Sequence, residues 1–232
     1  MSEINKHRYQ TYSESKKSFL YRIFQRMIVN ARREFFNLFV FNTKYSNKKT
    51  IIDIGTTPSL EIEQNIFLEK TKDNFGLTCL SDQDCSILLK KYKNIKNILV
   101  GDGKNTKLEN NSFDIVHSNA TIEHVGSFED QISFIKEMVR ISKGYVFIQT
   151  PNRFYPIDFH TILPFIHWLP KAMHRKILKH LKLDFYSEEK NLNLLSIKDL
   201  KNICKILKIE KYKILRYRLF FFTSNLILVI EK

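Results

Sequence analysis

The chain has 232 residues, 43% hydrophobic and 27% charged. That length supports one good core with decorations, and the composition confines disorder to the ends. The formal net charge of +14 raises phosphates or an anionic membrane as partners. Lysines, however, scatter among Asn and Ile, and no compact basic stripe with interleaved aromatics occurs beyond the N-terminal segment. Nucleic acid is therefore not the expected partner.

Cys79, Cys85 and Cys204 form no CxxC pair. An odd, sparse set predicts reduced, buried thiols in a cytoplasm rather than a disulfide frame. The first 18 residues are polar and carry no signal-peptide pattern. The longest charge-free apolar stretches, Phe159–Pro170 and Leu219–Ile230, fall short of the roughly 20 residues that span a bilayer. The expected location is cytoplasmic, soluble or at most peripheral at the inner face of the membrane.

Residues 1–13 read as a polar tail. From Ser15 to Phe41, Phe19, Ile23, Met27, Ala31, Phe35 and Leu38 recur at helical spacing, with Arg22, Arg26, Arg32 and Arg33 between them. This predicts one basic amphipathic helix, or two, that caps the core or serves as a lid or membrane contact. With the tail it makes an N-terminal segment, 1–47, ahead of a main domain, 48–232.

Five short apolar runs follow: Thr50–Ile54, Gly76–Leu80, Ile98–Val100, Phe113–His117 and Gly144–Gln149. They read as buried parallel strands, most of them separated by helical patterns. Ser127-Phe-Glu-Asp130 looks like a capping box opening a helix with Ile132, Ile135, Met138 and Val139 on one face. Such alternation implies βαβ units, a Rossmann-like α/β fold with helices on both faces of the sheet. After a helix over Ser196–Leu207, the runs Lys211–Phe222 and Asn225–Glu231 lie too close for a crossover, which predicts an antiparallel C-terminal hairpin.

Four pieces of this order resemble the class I methyltransferases, whose seven-stranded, mostly parallel sheet ends in an antiparallel strand. Thr50-Ile-Ile-Asp-Ile-Gly-Thr-Thr-Pro58 occupies the first-strand motif. Asp82 or Asp84 follows the second strand, and Gly101-Asp102-Gly103 the third. Phe113-Asp-Ile-Val-His-Ser-Asn-Ala-Thr-Ile-Glu-His-Val125 resembles the fourth-strand motif of the type 11 group, which includes quinone and small-metabolite enzymes. Gln149–Arg153, His160–Pro164, His167–Pro170 and Glu189–Leu195 are similar to a bacterial subgroup that carries Thr-Pro in place of the glycine-rich first motif. The likeness spans roughly residues 48–232.

The resemblance implies S-adenosylmethionine as cofactor and a small-molecule acceptor, either a sugar or lipid-linked glycan intermediate or a quinone or other lipid. It places Asp53, Gly55, Thr56 and Thr57 at the cofactor's amino-acid part, where only Gly55 remains of several glycines. Pro58 has no N–H to give, so hydroxyls of Thr56, Thr57 or Ser59 are the expected substitutes. Asp82, with Asp84 as competitor, would accept from the ribose hydroxyls. Asp102 and Gly103 would meet the adenine, and Ser118 and Asn119 would line the transfer channel. The eroded first motif also admits a non-catalytic binding protein of the same fold.

Methyl transfer needs aligned reactants and a route for the acceptor's proton. His124 and His160 are the candidate bases, since an imidazole titrates near pH 6.5, and Asp158 is an orienting carboxylate; His124 as a loop-holding residue is the structural alternative. Asn152, Arg153 and Tyr155 join Asp158 as candidate acceptor-binding residues in a substrate-side insertion, 151–195. Its stretch Phe159–Leu183, apolar and then basic, is either a lid over the cleft or a membrane-surface contact. His160, His167 and His174 recur every seven residues, but Pro164 and Pro170 interrupt any helix and no carboxylate or Cys completes the set. That spacing predicts no metal. The oligomeric state has no signature in the sequence.

Overall fold

A computed structural model describes residues 19–232; the tail over residues 1–13 and the expected helix start at Ser15 lie outside these. The N-terminal pattern is one helix, α1 (Phe19–Thr43), whose side chains are described from Val29 onward, so Phe19, Ile23 and Met27 lie outside that description. Ala31, Phe35 and Phe39 are buried against the sheet. In its described half the helix therefore caps the core.

The sheet comprises β1 (Ile51–Ile54), β2 (Leu77–Ser81), β3 (Ile95–Val100), β4 (Phe113–Asn119), β5 (Ser142–Pro151), β6 (Tyr212–Leu219) and β7 (Phe222–Glu231). Its order is β3-β2-β1-β4-β5-β7-β6. The first five strands are parallel, and β7 runs antiparallel between β5 and β6. The hairpin is thus as the short connection predicts. Its turn, though, falls at Phe220 and Phe221, not after Phe222.

Alternation along the strands sorts side chains into two apolar layers. On β7, Leu226, Leu228 and Ile230 join Ile52, Ile54, Val116 and Ile148 beneath α3 (Phe128–Ile141) and α6 (Ile197–Ile206). Ile227 and Val229 face the other way, with Ile51, Leu77, Ile115 and Phe147 beneath α1 and the short α2 (Ile66–Lys70). Helices cover both faces, as expected. Complete capping boxes open α3, from Ser127 and Asp130, and α6, from Ser196 and Asp199. Between β2 and β3 only a 3-10 turn, Ser86–Lys90, replaces a crossover helix.

Between β5 and α6 the chain builds an overhang with α4 (Lys171–His180) and α5 (Asp184–Ser187). It is pinned to the sheet end by Arg153 N to Leu195 O and Asn152 N to Ser224 O. Among the described residues, no helix is long and apolar enough to cross a membrane.

Candidate active site at the carboxyl end of the sheet

In an open α/β sheet, ligands bind where the parallel strands end, and every sequence-predicted cofactor residue lies there. At the end of β1, Gly55 has φ +91°, and a Cβ added to it would fall 2.0 Å from Thr121 Oγ1. The glycine is required by the loop after β4, which presses directly on the turn. Asp53 and Thr56 face inward: Thr56 Oγ1 donates to Asp53 Oδ2 at 2.7 Å, and Asp53 Oδ1 lies 2.6 Å from His117 Nδ1. His117 in turn stacks on Phe67 with ring centres 3.7 Å apart. This buried network stiffens the turn from behind. Ser59 Oγ is also spent locally, accepting from Glu61 N. Thr57 is the half-buried hydroxyl of the motif.

The two acids after β2 differ. Asp84 accepts from Ser86 N and Oγ at 2.8 and 2.9 Å, bonds that hold its carboxyl below the usual range. It is a turn residue. Asp82 is exposed, with only a long 3.4 Å contact from Ser81 Oγ, and has capacity for two ribose hydroxyls.

After β3, Asp102 is exposed; its Oδ1 accepts from Lys104 N at 2.8 Å, while the Lys104 ammonium is drawn to Asp130 Oδ1 at 3.0 Å. At Gly103 a Cβ would meet Phe134 and Ile54 within 3 Å, so the backbone here must rest on the core. After β4 the predicted pair divides. Ser118 is fully buried and donates to Ile54 O at 2.8 Å, tying β4 to β1; Asn119 is half-buried at the strand's end.

At the overhang the chain brings His124, His160 and Asp158 together from two segments. The 3-10 turn Ile122–His124 follows β4, and the other two lie in the overhang. His160 Nδ1 lies 3.0 Å from Asp158 Oδ1, and Asp158 Oδ2 accepts from Thr161 Oγ1 at 2.7 Å. Burial opposes the charge on Asp158, but these bonds outweigh it and hold the carboxyl well below its ordinary range. His124 Nδ1 lies 2.6 Å from Asn191 O, and the two Nε2 atoms face each other at 3.1 Å. Glu123, fully buried, accepts from Thr150 Oγ1 through Oε2 and turns Oε1 to within 4.0 Å of His160 Nε2. Sequence reasoning included Glu123 in a motif without giving it a role; its only signal was adjacency to His124.

The other residues expected to bind the acceptor, Asn152, Arg153 and Tyr155, hold the overhang together. Asn152 Nδ2 donates to Thr223 O. Arg153 donates to His167 O and Leu169 O. Tyr155 O accepts from His167 Nε2 and Trp168 Nε1. A small cavity behind them is lined by Arg153, Lys171, His174 and Arg175. Burial pushes the His174 imidazole down to about 4, so it is neutral there.

Comparison with known proteins fits this geometry. Residues 68–148 match the type 11 family model described as a methyltransferase domain. Among solved structures, the chain is similar to an S-adenosylmethionine-dependent methyltransferase from Archaeoglobus fulgidus, at 15% identity and TM-score 0.53, covering 85% of this chain and 99% of that one. It is also similar to a putative S-adenosylmethionine-dependent methyltransferase from Methanococcus maripaludis (18%, TM-score 0.55, 89% and 88%) and to one from Methanosarcina mazei (13%, TM-score 0.53, 83% and 96%). At such identities these structures speak for the fold. No curated protein matches the chain. Over residues 68–148 the chain is thus similar to the type 11 methyltransferase domain, and its strand order is that of the class I methyltransferase fold.

Proposed function

We propose that the chain methylates a hydroxyl of a small-molecule acceptor, a sugar or lipid-linked glycan intermediate, bound beneath the 151–195 overhang. The observation that carries this is the meeting of His124 and His160, backed by Asp158, beside the ends of β4 and β5. An alcohol must lose its proton as the methyl group arrives, and an oriented imidazole pair suits that task. In this reading the backbone at Gly55–Thr57 receives the methionine part, Asp82 the ribose and Asp102 with Gly103 the adenine. Asn119 flanks the methyl group. Asp53, Thr56 and Ser118 act by positioning the turn rather than by touching the cofactor.

A lipid on the acceptor is supported by what borders the site. The β6–β7 hairpin tip points to the same end of the sheet as the strand ends, because Asn225 pairs with Pro151. Phe220 and Phe221 at that tip are 76% and 92% exposed, and Phe154 of the overhang is half exposed. Exposed aromatics grouped beside a site are a membrane or lipid contact signal. Arg153, Lys171 and Arg175 nearby suit a phosphorylated headgroup. The test is transfer from isotopically labelled S-adenosylmethionine to nucleotide sugars, polyprenyl-diphosphate sugars and quinols. Labelling of a sugar acceptor that His160→Gln reduces at least tenfold supports the reading. Labelling of quinols alone replaces it with a lipid-ring acceptor.

A further inference from the structure

The facing imidazoles pose a problem of lone pairs. Asn191 O can only accept, so His124 Nδ1 carries the proton of that 2.6 Å bond. Asp158 Oδ1 also takes the backbone N–H of His160, which makes it an acceptor for His160 Nδ1–H as well. Two neutral rings fixed in this way direct two Nε2 lone pairs at each other across 3.1 Å. Such a contact is repulsive unless a proton or a metal ion lies between the two nitrogens. Glu123 brings a carboxylate to the same place, and one ligand atom from each of the three side chains lies within 4.8 Å of the others.

We infer that Glu123, His124 and His160 bind a divalent first-row transition ion. Metal bonds of about 2.1 Å put neighbouring ligand atoms about 3–4 Å apart, and the separations of 3.1 and 4.0 Å seen here match that. Each ligand also has the outer partner that metal-binding side chains use to fix orientation and tautomer. His124 has a backbone carbonyl, His160 the Asp158 carboxylate, and Glu123 the Thr150 hydroxyl. Two imidazoles and a carboxylate favour Zn²⁺, Co²⁺, Mn²⁺ or Fe²⁺ over Mg²⁺ or Ca²⁺. Three protein ligands leave positions open, as in catalytic rather than structural sites. This last point rests on the acceptor placement proposed above: an open position would take the acceptor's oxygen and lower its pKa, so that the two histidines would promote loss of its proton to water through the ion rather than by accepting it themselves.

Cobalt tests the site independently of any acceptor. The full chain, stripped with a chelator, is titrated with Co²⁺ and followed by visible absorption, alongside His124→Gln, His160→Gln and the exposed-surface control His180→Gln. The expected result is one Co²⁺ per chain with ligand-field bands that Zn²⁺ abolishes. Binding should weaken at least tenfold in the two site variants and stay unchanged in the control. S-adenosylhomocysteine binding reports that each variant is folded. Absence of saturable bands in the wild-type chain overturns the inference, whatever the variants do, and so does equal Co²⁺ binding in folded site variants. Nitrogen NMR showing one imidazolium shared between His124 and His160 in the metal-saturated sample also overturns it. A cobalt site with no methyl transfer to any sugar would leave the ion standing and remove the acceptor assignment.

Discussion

The α-carbon of Gly55 lies against the side chain of Thr121, so closely that no side chain fits at position 55. The first motif retains its glycine because the loop after β4 packs there, and because φ is +91°. Gly55→Ala combines left-handed strain with a clash. The expected cost is about 2–4 kcal/mol of stability, read as a lower urea midpoint, with cofactor affinity falling at least tenfold. Adding Thr121→Ala removes the two nearest atoms, leaving only the Cβ at 2.8 Å and the left-handed strain, and should restore part of the stability.

Asp53 and Asp82 make opposite demands on an experiment. Asp53 is bonded to Thr56 and His117 inside the molecule, so Asp53→Asn should lower thermal stability together with cofactor affinity. Asp82 is exposed and nearly unengaged, so Asp82→Ala should leave the melting temperature unchanged. It should raise the S-adenosylhomocysteine Kd about 10–100-fold, the worth of a charge-assisted hydrogen bond. Asp84→Ala loses only a turn cap and leaves the Kd near the wild-type value. Calorimetry on the three variants separates these cases.

Glu137 predicts an acid dependence. Hydrogen bonds from Arg140 dominate, burial opposes them, and the Thr106 hydroxyl and N–H add to them, which together bring the carboxyl down to about 2. Because its folded pKa is depressed, the stabilisation is complete above the unfolded value near 4.5 and is lost as pH falls toward 2. Glu137→Gln should therefore destabilise the fold by about 1–3 kcal/mol at pH 7. The difference from wild type should shrink steadily below pH 4.5, and denaturant melts across that range check it.

The strands and the closing hairpin were legible because β-branched runs such as Ile51–Ile54 and the closeness of the last two strands depend on local chemistry alone. The helix starts were legible for the same reason, since Ser127 with Asp130 carries a capping box within four residues. The strand β3 begins at Ile95, three residues before its apparent start. As an edge strand it exposes Lys96 and Asn97, which hides the apolar pattern. The hairpin turn was misplaced because Thr223 and Ser224 look like turn residues. The actual turn uses Phe220 at φ 56°, where neither Gly nor Asn marks it.

In the site, the strand-end acids are legible in the sequence, with Asp82 ahead of Asp84 by resemblance; the Ser86 cap that occupies Asp84 is a matter of three-dimensional geometry and is not. The pairing of His124 with His160 was hidden more thoroughly. These residues are 36 apart, and the heptad spacing of His160, His167 and His174 pointed to a different grouping.

The most direct test is isothermal calorimetry of the full chain with S-adenosylmethionine and S-adenosylhomocysteine. Binding of both at one shared site, weakened by Asp82→Ala and by Gly55→Ala, is the predicted result. No binding of either at millimolar concentration would contradict a cofactor site built on Gly55 with so few glycines around it.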